Sequence, residues 1–246
     1  MSEILQIVIP MAGRGTRFTS AGYEQPKPLI DVVGKPMIER VIENLTPRRR
    51  HRFVFIVQRD HLDRHGIGEL LARETESSVI VPLDAITAGA ACTVLEARAE
   101  LDPDQPLMIA NCDQWLDIDI DDYLAASDFP GTDGLIMTMP ASDPKWSYVG
   151  LDSQGLVTRV VEKQVISDHA TVGVYNFAAT RLFLDAADQM IAADKRVNGE
   201  FYVAPVYNEL IAGGAAIGVR DIGSAMWGLG TPADLEAFLA ARLITA

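Results

Sequence analysis

Ile7-Val-Ile-Pro-Met-Ala-Gly-Arg-Gly-Thr-Arg-Phe18, followed closely by Gln25-Pro-Lys-Pro-Leu-Ile30, decides the architecture of this chain. The apolar run Ile4–Ile9 has the unbroken hydrophobicity of a strand buried on both faces, the mark of a parallel sheet covered by helices. It feeds into Gly13 and Gly15, where missing side chains let a polyanion approach backbone N–H groups. Arg17 and Lys27 flank the loop, one a planar fork of donors and the other a point charge. A glycine loop with two cations suits a nucleoside triphosphate. It is not a Walker loop, because no glycine is followed by Lys-Ser or Lys-Thr. Nor is it a dinucleotide fingerprint, since Phe18 stands where a third small residue is needed.

Outward from this stretch, short apolar runs alternate with helical patterns. The sequence predicts strands at Ile4–Ile9, Phe53–Val57, Val79–Val81 and Leu107–Ala110, and helices over Met37–Leu45, Leu62–Glu74 and Ala90–Leu101. That series predicts a largely parallel sheet with helices on both faces. After Asp133 strands crowd together at Gly134–Met139, Val149–Leu151, Leu156–Val161 and Thr171–Phe177, with Asp152-Ser-Gln-Gly155 as a hairpin turn. Helices are expected again at Arg181–Ala193, Tyr202–Ala212 and Pro232–Arg242, with a strand at Ala216–Val219. The expectation is one domain over residues 1–246, with an N-terminal nucleotide lobe to about residue 130 and an acceptor lobe from about 131. In open α/β sheets ligands lie beyond the carboxyl ends of the strands, so the residues following each strand carry the functional reading.

Composition narrows the classes. The hydrophobic share of 48% supports a sizeable core. A net charge of −13 argues against nucleic acid as a partner, which demands a broad basic face. No apolar run reaches membrane-spanning length, and Met1-Ser-Glu-Ile lacks the character of a signal peptide, so a cytoplasmic protein is expected. Cys92 and Cys112, the two cysteines, support neither a disulfide framework nor a zinc site and are expected to be buried thiols. The basic run Arg48–Arg52 is expected to be a solvated connection.

Several residues after strands could carry chemistry. Asp113 follows the Leu107–Ala110 strand and is placed either to hold Mg²⁺ or simply to terminate the strand. Asp117, Asp119 and Asp121 are expected to be capping and surface residues at a helix start. Glu162 and Lys163 end the Leu156–Val161 strand, the lysine suited to an acceptor's phosphate and the glutamate to a hydroxyl or amine. Asn198 and Glu200 offer further polar contacts, Asn198 serving equally well as a helix cap. Trp146 and Tyr148 could stack on an acceptor or pack within a hairpin.

Together these strings resemble the sugar-phosphate nucleotidyltransferases that make nucleoside diphosphate sugars. The shared pattern stands here as Pro10-Met-Ala-Gly13-Arg-Gly15-Thr-Arg17, Pro26-Lys27-Pro28, Asp113, Glu162-Lys163 and Val172-Gly173-Val-Tyr, spanning residue 4 to Leu239. The resemblance implies a three-layer α/β/α fold with a mostly parallel, mixed central sheet, and pairing of copies through acceptor lobes as a homodimer. It implies nucleotide contacts at Met11, Ala12, Gly13, Gly15, Thr16, Asp84 and Gly89, and acceptor contacts at Asn111, Glu162, Gly173, Asn198 and Glu200. Arg17, Lys27 and Lys163 would be catalytic, and Asp113 would be the ligand of Mg²⁺. More narrowly, Asp143-Pro-Lys-Trp-Ser-Tyr148, Val165-Ile-Ser-Asp-His-Ala170 and Val197-Asn-Gly-Glu-Phe-Tyr202 resemble a group encoded with capsule genes, among them a phosphoglutamine cytidylyltransferase. Asp84 replaces the glutamine that commonly meets the base. A carboxylate only accepts hydrogen bonds, which leans toward the amino edge of CTP, although Asp84 could equally be a turn residue after Pro82.

The chain departs from the pattern at Cys112, where glycine is usual, and at Gly228, where a second metal carboxylate is expected and for which Glu200 or Asp221 could substitute. The expected reaction is attack by an acceptor phosphate on the α-phosphorus of the triphosphate, with release of pyrophosphate. Two alternatives remain: a metal-dependent glycosyltransferase of related fold, which would release no pyrophosphate, and an inactive nucleotide-binding protein, which would bind without turnover.

Overall fold

The structure is a computed structural model and describes residues 3–127 and 131–243. The lobe boundary expected near residue 130 therefore abuts residues outside the described set, as does the start of the Met1-Ser-Glu-Ile stretch. The strands are β1 (Leu5–Pro10), β2 (Asp31–Val32), β3 (Lys35–Pro36), β4 (His51–Gln58), β5 (Ser78–Leu83), β6 (Leu107–Ala110) and β7 (Gln114–Leu116), then β8 (Gly134–Pro140), β9 (Ser147–Leu151), β10 (Val157–Glu162), β11 (His169–Phe177), β12 (Ile217–Asp221) and β13 (Met226–Gly228). The helices are α1 (Thr16–Ser20), α2 (Met37–Leu45), α3 (Arg59–His65), α4 (Ile67–Glu74), α5 (Ala90–Leu95), α6 (Ile120–Ser127), α7 (Thr180–Ala192), α8 (Tyr207–Ala212) and α9 (Pro232–Leu243).

One nine-stranded sheet runs through both lobes. Its amino-terminal part, β6-β1-β4-β5, is parallel, with Ile7 beside Phe53 and Met108, and Phe55 beside Ile80. Long β11 then runs antiparallel to β6 on one side and to β8 on the other, while β12 returns parallel to β8. The β9–β10 hairpin extends the sheet past the end of β6, through Tyr148 against Ala170. The parallel character thus belongs to the amino-terminal half, and the carboxyl-terminal half is mixed.

Alternation along β1 sorts the core. Val8 faces one layer with Val94, Phe183 and Tyr207 from α5, α7 and α8. Ile7 and Ile9 face the other, with Ile38, Leu71 and Tyr123 from α2, α4 and α6. Each strand residue points to the face opposite its neighbour's, so a continuous apolar run fills both layers. This is the three-layer α/β/α arrangement. Among the described residues, no helix is long and apolar enough to cross a membrane.

Several element boundaries differ from the sequence reading, for local reasons. The helix expected over Leu62–Glu74 is two, α3 and α4, because Gly66 takes a left-handed conformation (φ 63°) and ends α3. The Ala90–Leu101 helix stops at Leu95 and continues only as a 3₁₀ turn at Arg98–Glu100. The Tyr202–Ala212 helix begins at Tyr207, after a 3₁₀ turn holding Pro205. Asp119 and Asp121 pair with Arg48, as surface residues. Asp117 is exposed, as expected of a surface residue, but caps no helix: its carboxylate accepts from the indoles of Trp115 and Trp227 (2.9 and 2.8 Å) and from Arg242. It thereby ties the β7–β13 ribbon to α9.

One backbone contact aligns the two lobes at the ligand face. Gly89 sits at φ 138°, ψ 173°, a region open to glycine alone. A Cβ there would lie 2.4 Å from the Phe201 carbonyl oxygen and 2.5 Å from its nitrogen. The Phe201 N–H donates to Ala88 O (2.9 Å), and the Ala91 N–H donates back to Phe201 O (3.0 Å). Gly89→Ala is expected to destabilise the fold by about 2–5 kcal/mol, strain and overpacking combined. Gly155→Ala shares a positive φ (82°) but meets open space, and should cost only about 1–2 kcal/mol. Urea unfolding of both variants tests this, and equal losses would show that Phe201 yields freely.

Candidate active site

The carboxyl ends of β1, β6 and β10 converge on two adjoining cavities. The first, about 470 Å³, lies over the glycine loop and is lined by Ala12, Gly13, Gly15, Thr16, Thr87 and Gly89, among others. The second, about 450 Å³, holds Arg17, Lys27, Asn111, Asp113, Glu162, Lys163 and Gly173, with Lys145, Trp146 and Tyr202. Pro10, Ala90 and Glu200 line both, so the cavities meet there. Their sizes suit small ligands. A larger cavity, about 940 Å³, opens at the opposite ends of the strands beside Arg48–Arg52. There Arg48 is engaged by Asp119 and Asp121, and Arg52 donates to Gln6 at 3.0 Å. These arginines join surface elements to one another, and that cavity is remote from the convergence of strand ends.

The glycine loop is held from beneath. Gly15 starts α1 in a left-handed conformation (φ 61°). Gln58, at the end of β4, donates to Ala12 O (2.8 Å) and Gly13 O (3.1 Å). The loop's carbonyls are thus engaged on the protein side. Met11, expected to meet nucleotide, instead buries its side chain in the core, and its N–H donates to Ile56 O at 2.9 Å.

Lys27 follows Pro26 on a 3₁₀ turn and donates to Asp113 Oδ2 at 2.7 Å, the side chains 20% and 24% exposed. Burial alone would pull the ammonium toward neutrality. The Asp113 carboxylate outweighs it, and the Lys27 pKa is raised. Asp113 is hemmed in further by the chain passing it, for a Cβ on Gly230 would fall 2.7 Å from its Oδ2. Arg17 is exposed and, among the described residues, makes no hydrogen bond or ion pair. Its guanidinium weighs against the charge on Lys27, which places the two cations close together.

The wall of the second cavity includes backbone in the left-handed region. Lys163 has φ 56°, uncommon for a residue with a side chain, and its N–H donates to Trp146 O at 3.0 Å. That hydrogen bond joins the loop after β10 to the loop before β9. The Lys163 ammonium donates to the Tyr202 hydroxyl and lies 4.5 Å from its ring centroid. Gly173 (φ 83°) sits in an irregularity of β11, and a Cβ there would lie 2.2 Å from Asn111 Nδ2. Only glycine admits Asn111, whose N–H donates to Gly173 O at 3.0 Å. Glu162 is buried and accepts from the Ser147 hydroxyl. Burial pushes its carboxyl upward, opposed by Ser147 and Lys163 and reinforced by nearby Glu200.

Most of the expected residues therefore gather on the two cavities. Asn198 (φ 49°) lies exposed in a tight turn outside both and caps no helix. Asp84 is bonded to Arg59, whose guanidinium holds its carboxyl below the usual range, and it lines neither cavity. Of the substitutes considered for the carboxylate missing at Gly228, Glu200 lines both cavities, whereas Asp221 ends β12 near His169 (3.9 Å). Tyr148 is fully buried, its hydroxyl donating to Asp143 O (2.7 Å), so it serves the hairpin. Cys112 is buried and Cys92 half-buried, and burial raises both thiols. Sequence reasoning missed Gln58, Lys145 and Tyr202. Gln58 left a signal, being the polar residue directly after the apolar run Phe53–Val57.

Residues 6–204 match the nucleotidyl transferase family. The chain belongs to that family. It is 27% identical to the bifunctional protein GlmU of Paraburkholderia phymatum over 87% of this chain and 46% of that one. It is 29% identical to mannose-1-phosphate guanyltransferase of Gibberella zeae over 69% of this chain and 48% of that one. The chain thus spans less than half the length of either relative. A nucleoside-diphosphate-sugar pyrophosphorylase from Vibrio cholerae superposes with TM-score 0.80 at 27% identity, covering 95% of this chain and 99% of the other. The inositol-1-phosphate CTP transferase of T. maritima shares the fold (TM-score 0.77, 16% identity, 98% and 97% covered).

The raised carboxyl of Glu162 fixes a pH signature for stability. Above the ordinary glutamate value of 4.5 the unfolded chain releases this proton before the folded one does. The folded state then binds more protons, so this residue's contribution declines as pH rises from 4.5 through the raised value. Glu162→Gln should remove that decline. Melting curves of both proteins at pH 4.5 and pH 8 test it, with the variant gaining relative stability at the higher pH. A relative loss there would mean that the ionised carboxylate is the form the fold prefers.

Proposed function

We propose that this protein transfers a nucleotidyl group from a nucleoside triphosphate to a phosphorylated sugar or similar small phosphorylated metabolite, releasing pyrophosphate. The observation carrying this reading is the junction of a glycine-loop cavity with a second cavity that holds Arg17, Lys27, Asp113 and Lys163. An acceptor phosphate oxygen forms a bond to the α-phosphorus, and the bond from that phosphorus to the departing pyrophosphate breaks. The nucleophile is already an anion, so no strong general base is needed. The barrier is the meeting of two anions, and catalysis is positioning and charge neutralisation.

Backbone N–H groups of Gly13 and Gly15 cradle the triphosphate. Arg17 takes the charge of the departing pyrophosphate, Lys27 the α-phosphate, and Lys163 orients the acceptor's phosphate. Among the described residues, no three His, Cys, Asp or Glu side chains gather as a ready metal cage. Mg²⁺ does not need one, because it binds through one or two carboxylates with substrate phosphates and water. A single Asp113 beside the junction fits that donor set, and the ion would neutralise phosphate charge there. CTP as donor, a phosphoglutamine-like acceptor and a role in surface-polysaccharide synthesis are the finer parts of the proposal. The CTP reading leans on Asp84, an acceptor-only carboxylate held ionised by Arg59 two residues before Ile86 of the nucleotide cavity.

Pyrophosphate release should depend on one triphosphate and one phosphorylated acceptor when the four ribonucleoside triphosphates and dTTP are screened with Mg²⁺. Release without an acceptor, or nucleotide binding without release, would refute the transfer. Arg17→Ala should lower kcat by about 10²–10³, as loss of an oxyanion donor does. Near-normal turnover would remove Arg17 from the mechanism.

A further inference from the structure

We propose that the acceptor carries a carboxylate in addition to its reacting phosphate, and that Lys145 receives it. This rests on the nucleotidyl-transfer reading of the same site.

Lys145 and Lys163 line one cavity from adjoining loops, joined by the hydrogen bond from Lys163 N–H to Trp146 O. They lean apart. Lys163 reaches Tyr202, toward Glu200, which also lines the triphosphate cavity. Lys145 lies 4.8 Å from the centroid of Trp146, and its nearest carboxylate is Asp234 at 3.5 Å, in the first turn of α9. Neither lysine lines the triphosphate cavity. Tyr202, which Lys163 meets, interacts with Glu200 at the junction, whereas Trp146 and Asp234, which Lys145 meets, do not line that cavity. Lys163 therefore stands at the reacting end of the acceptor, and Lys145 at the remote end.

The remote end is cationic and exchangeable. A charge-assisted N–H to carboxylate bond is normally about 2.7–2.9 Å, so the contact with Asp234 is loose. Asp234 Oδ2 is already satisfied by the Thr231 hydroxyl at 2.7 Å. The Lys145 ammonium can thus move to a ligand carboxylate without stranding a partner. A quaternary ammonium fits poorly, because the aromatic faces of Trp146 and Tyr202 are each covered by the protein's own lysine. A neutral polyol would offer Lys145 no charge to draw it from Asp234.

Calorimetry with paired probes tests this: glucuronic acid 1-phosphate against glucose 1-phosphate, and O-phosphoserine against phosphoethanolamine. In at least one pair the carboxylate-bearing member should bind about tenfold or more tightly. Lys145→Ala should abolish that preference and Lys145→Arg retain most of it, with nucleoside triphosphate affinity unchanged in both. Lys145 is exposed on a loop, so neither variant threatens the fold. Equal affinities, no binding of either carboxylate member, or a preference surviving in Lys145→Ala would overturn the proposal. Pyrophosphate release from the same mixtures is scored separately. A carboxylate preference without release counts against nucleotidyl transfer alone, and release without a preference counts against this inference alone.

Discussion

The ion pair between Lys27 and Asp113 is the constraint on which the site depends. Its two residues come from the segment after the glycine loop and from the end of β6, and its 2.7 Å contact fixes where those segments meet. Two unit charges near a protein surface attract by about 4 kcal/mol at 4 Å, enough to offset a part-buried ammonium's lost hydration. Hence burial does not neutralise Lys27, and its charge persists across the accessible pH range. A cleft that gathers phosphates needs a cation that keeps its proton when it is shielded from water. Pairing also holds the carboxylate beside the cation.

Positive-φ backbone recurs on the cavity walls around this pair. Lys163 (φ 56°), Gly173 (φ 83°) and Gly89 (φ 138°) all lie on the cavity walls, each held by a backbone hydrogen bond from another segment. Lys163 is tied to Trp146, Gly173 to Asn111, and the residues flanking Gly89 to Phe201. The nine-stranded sheet supplies the rigidity, since its interior is packed on both faces. Holding a lysine in the left-handed region costs about 1–2 kcal/mol. Here the bond between two sheet-anchored loops makes that conformation the one available.

Legibility in the sequence followed the range of the interactions. β6 and α2 begin and end where their apolar patterns do, because their burial is set by local periodicity. The cations and the carboxylate of the site were visible as residue types beyond strand ends, a position the parallel sheet makes functional. Breaks such as Gly66 were less visible, since glycine within a helical pattern is tolerated until its φ turns positive. The β7–β13 ribbon was invisible, being three residues a side and separated by more than a hundred positions. The ties of Asp117 were hidden for the same reason, as its partners Trp227 and Arg242 lie on elements that only the fold brings near. Asn198 shows the opposite error: its neighbours Glu200 and Tyr202 reach the cavities, but its own left-handed turn carries it out to solvent.

A chain of net charge −13 must still admit anions, and the distribution of its cations explains how. Many arginines are spent on surface carboxylates, as Arg48 is on Asp119 and Asp121 and Arg181 on Asp104. The cleft instead collects Arg17, Lys27, Lys145 and Lys163, of which only Lys27 holds a close carboxylate. Field lines focus in a concave site with low-dielectric walls, so a few such groups dominate the potential where a ligand enters. The net negative charge of the chain and this local gathering of cations thus coexist.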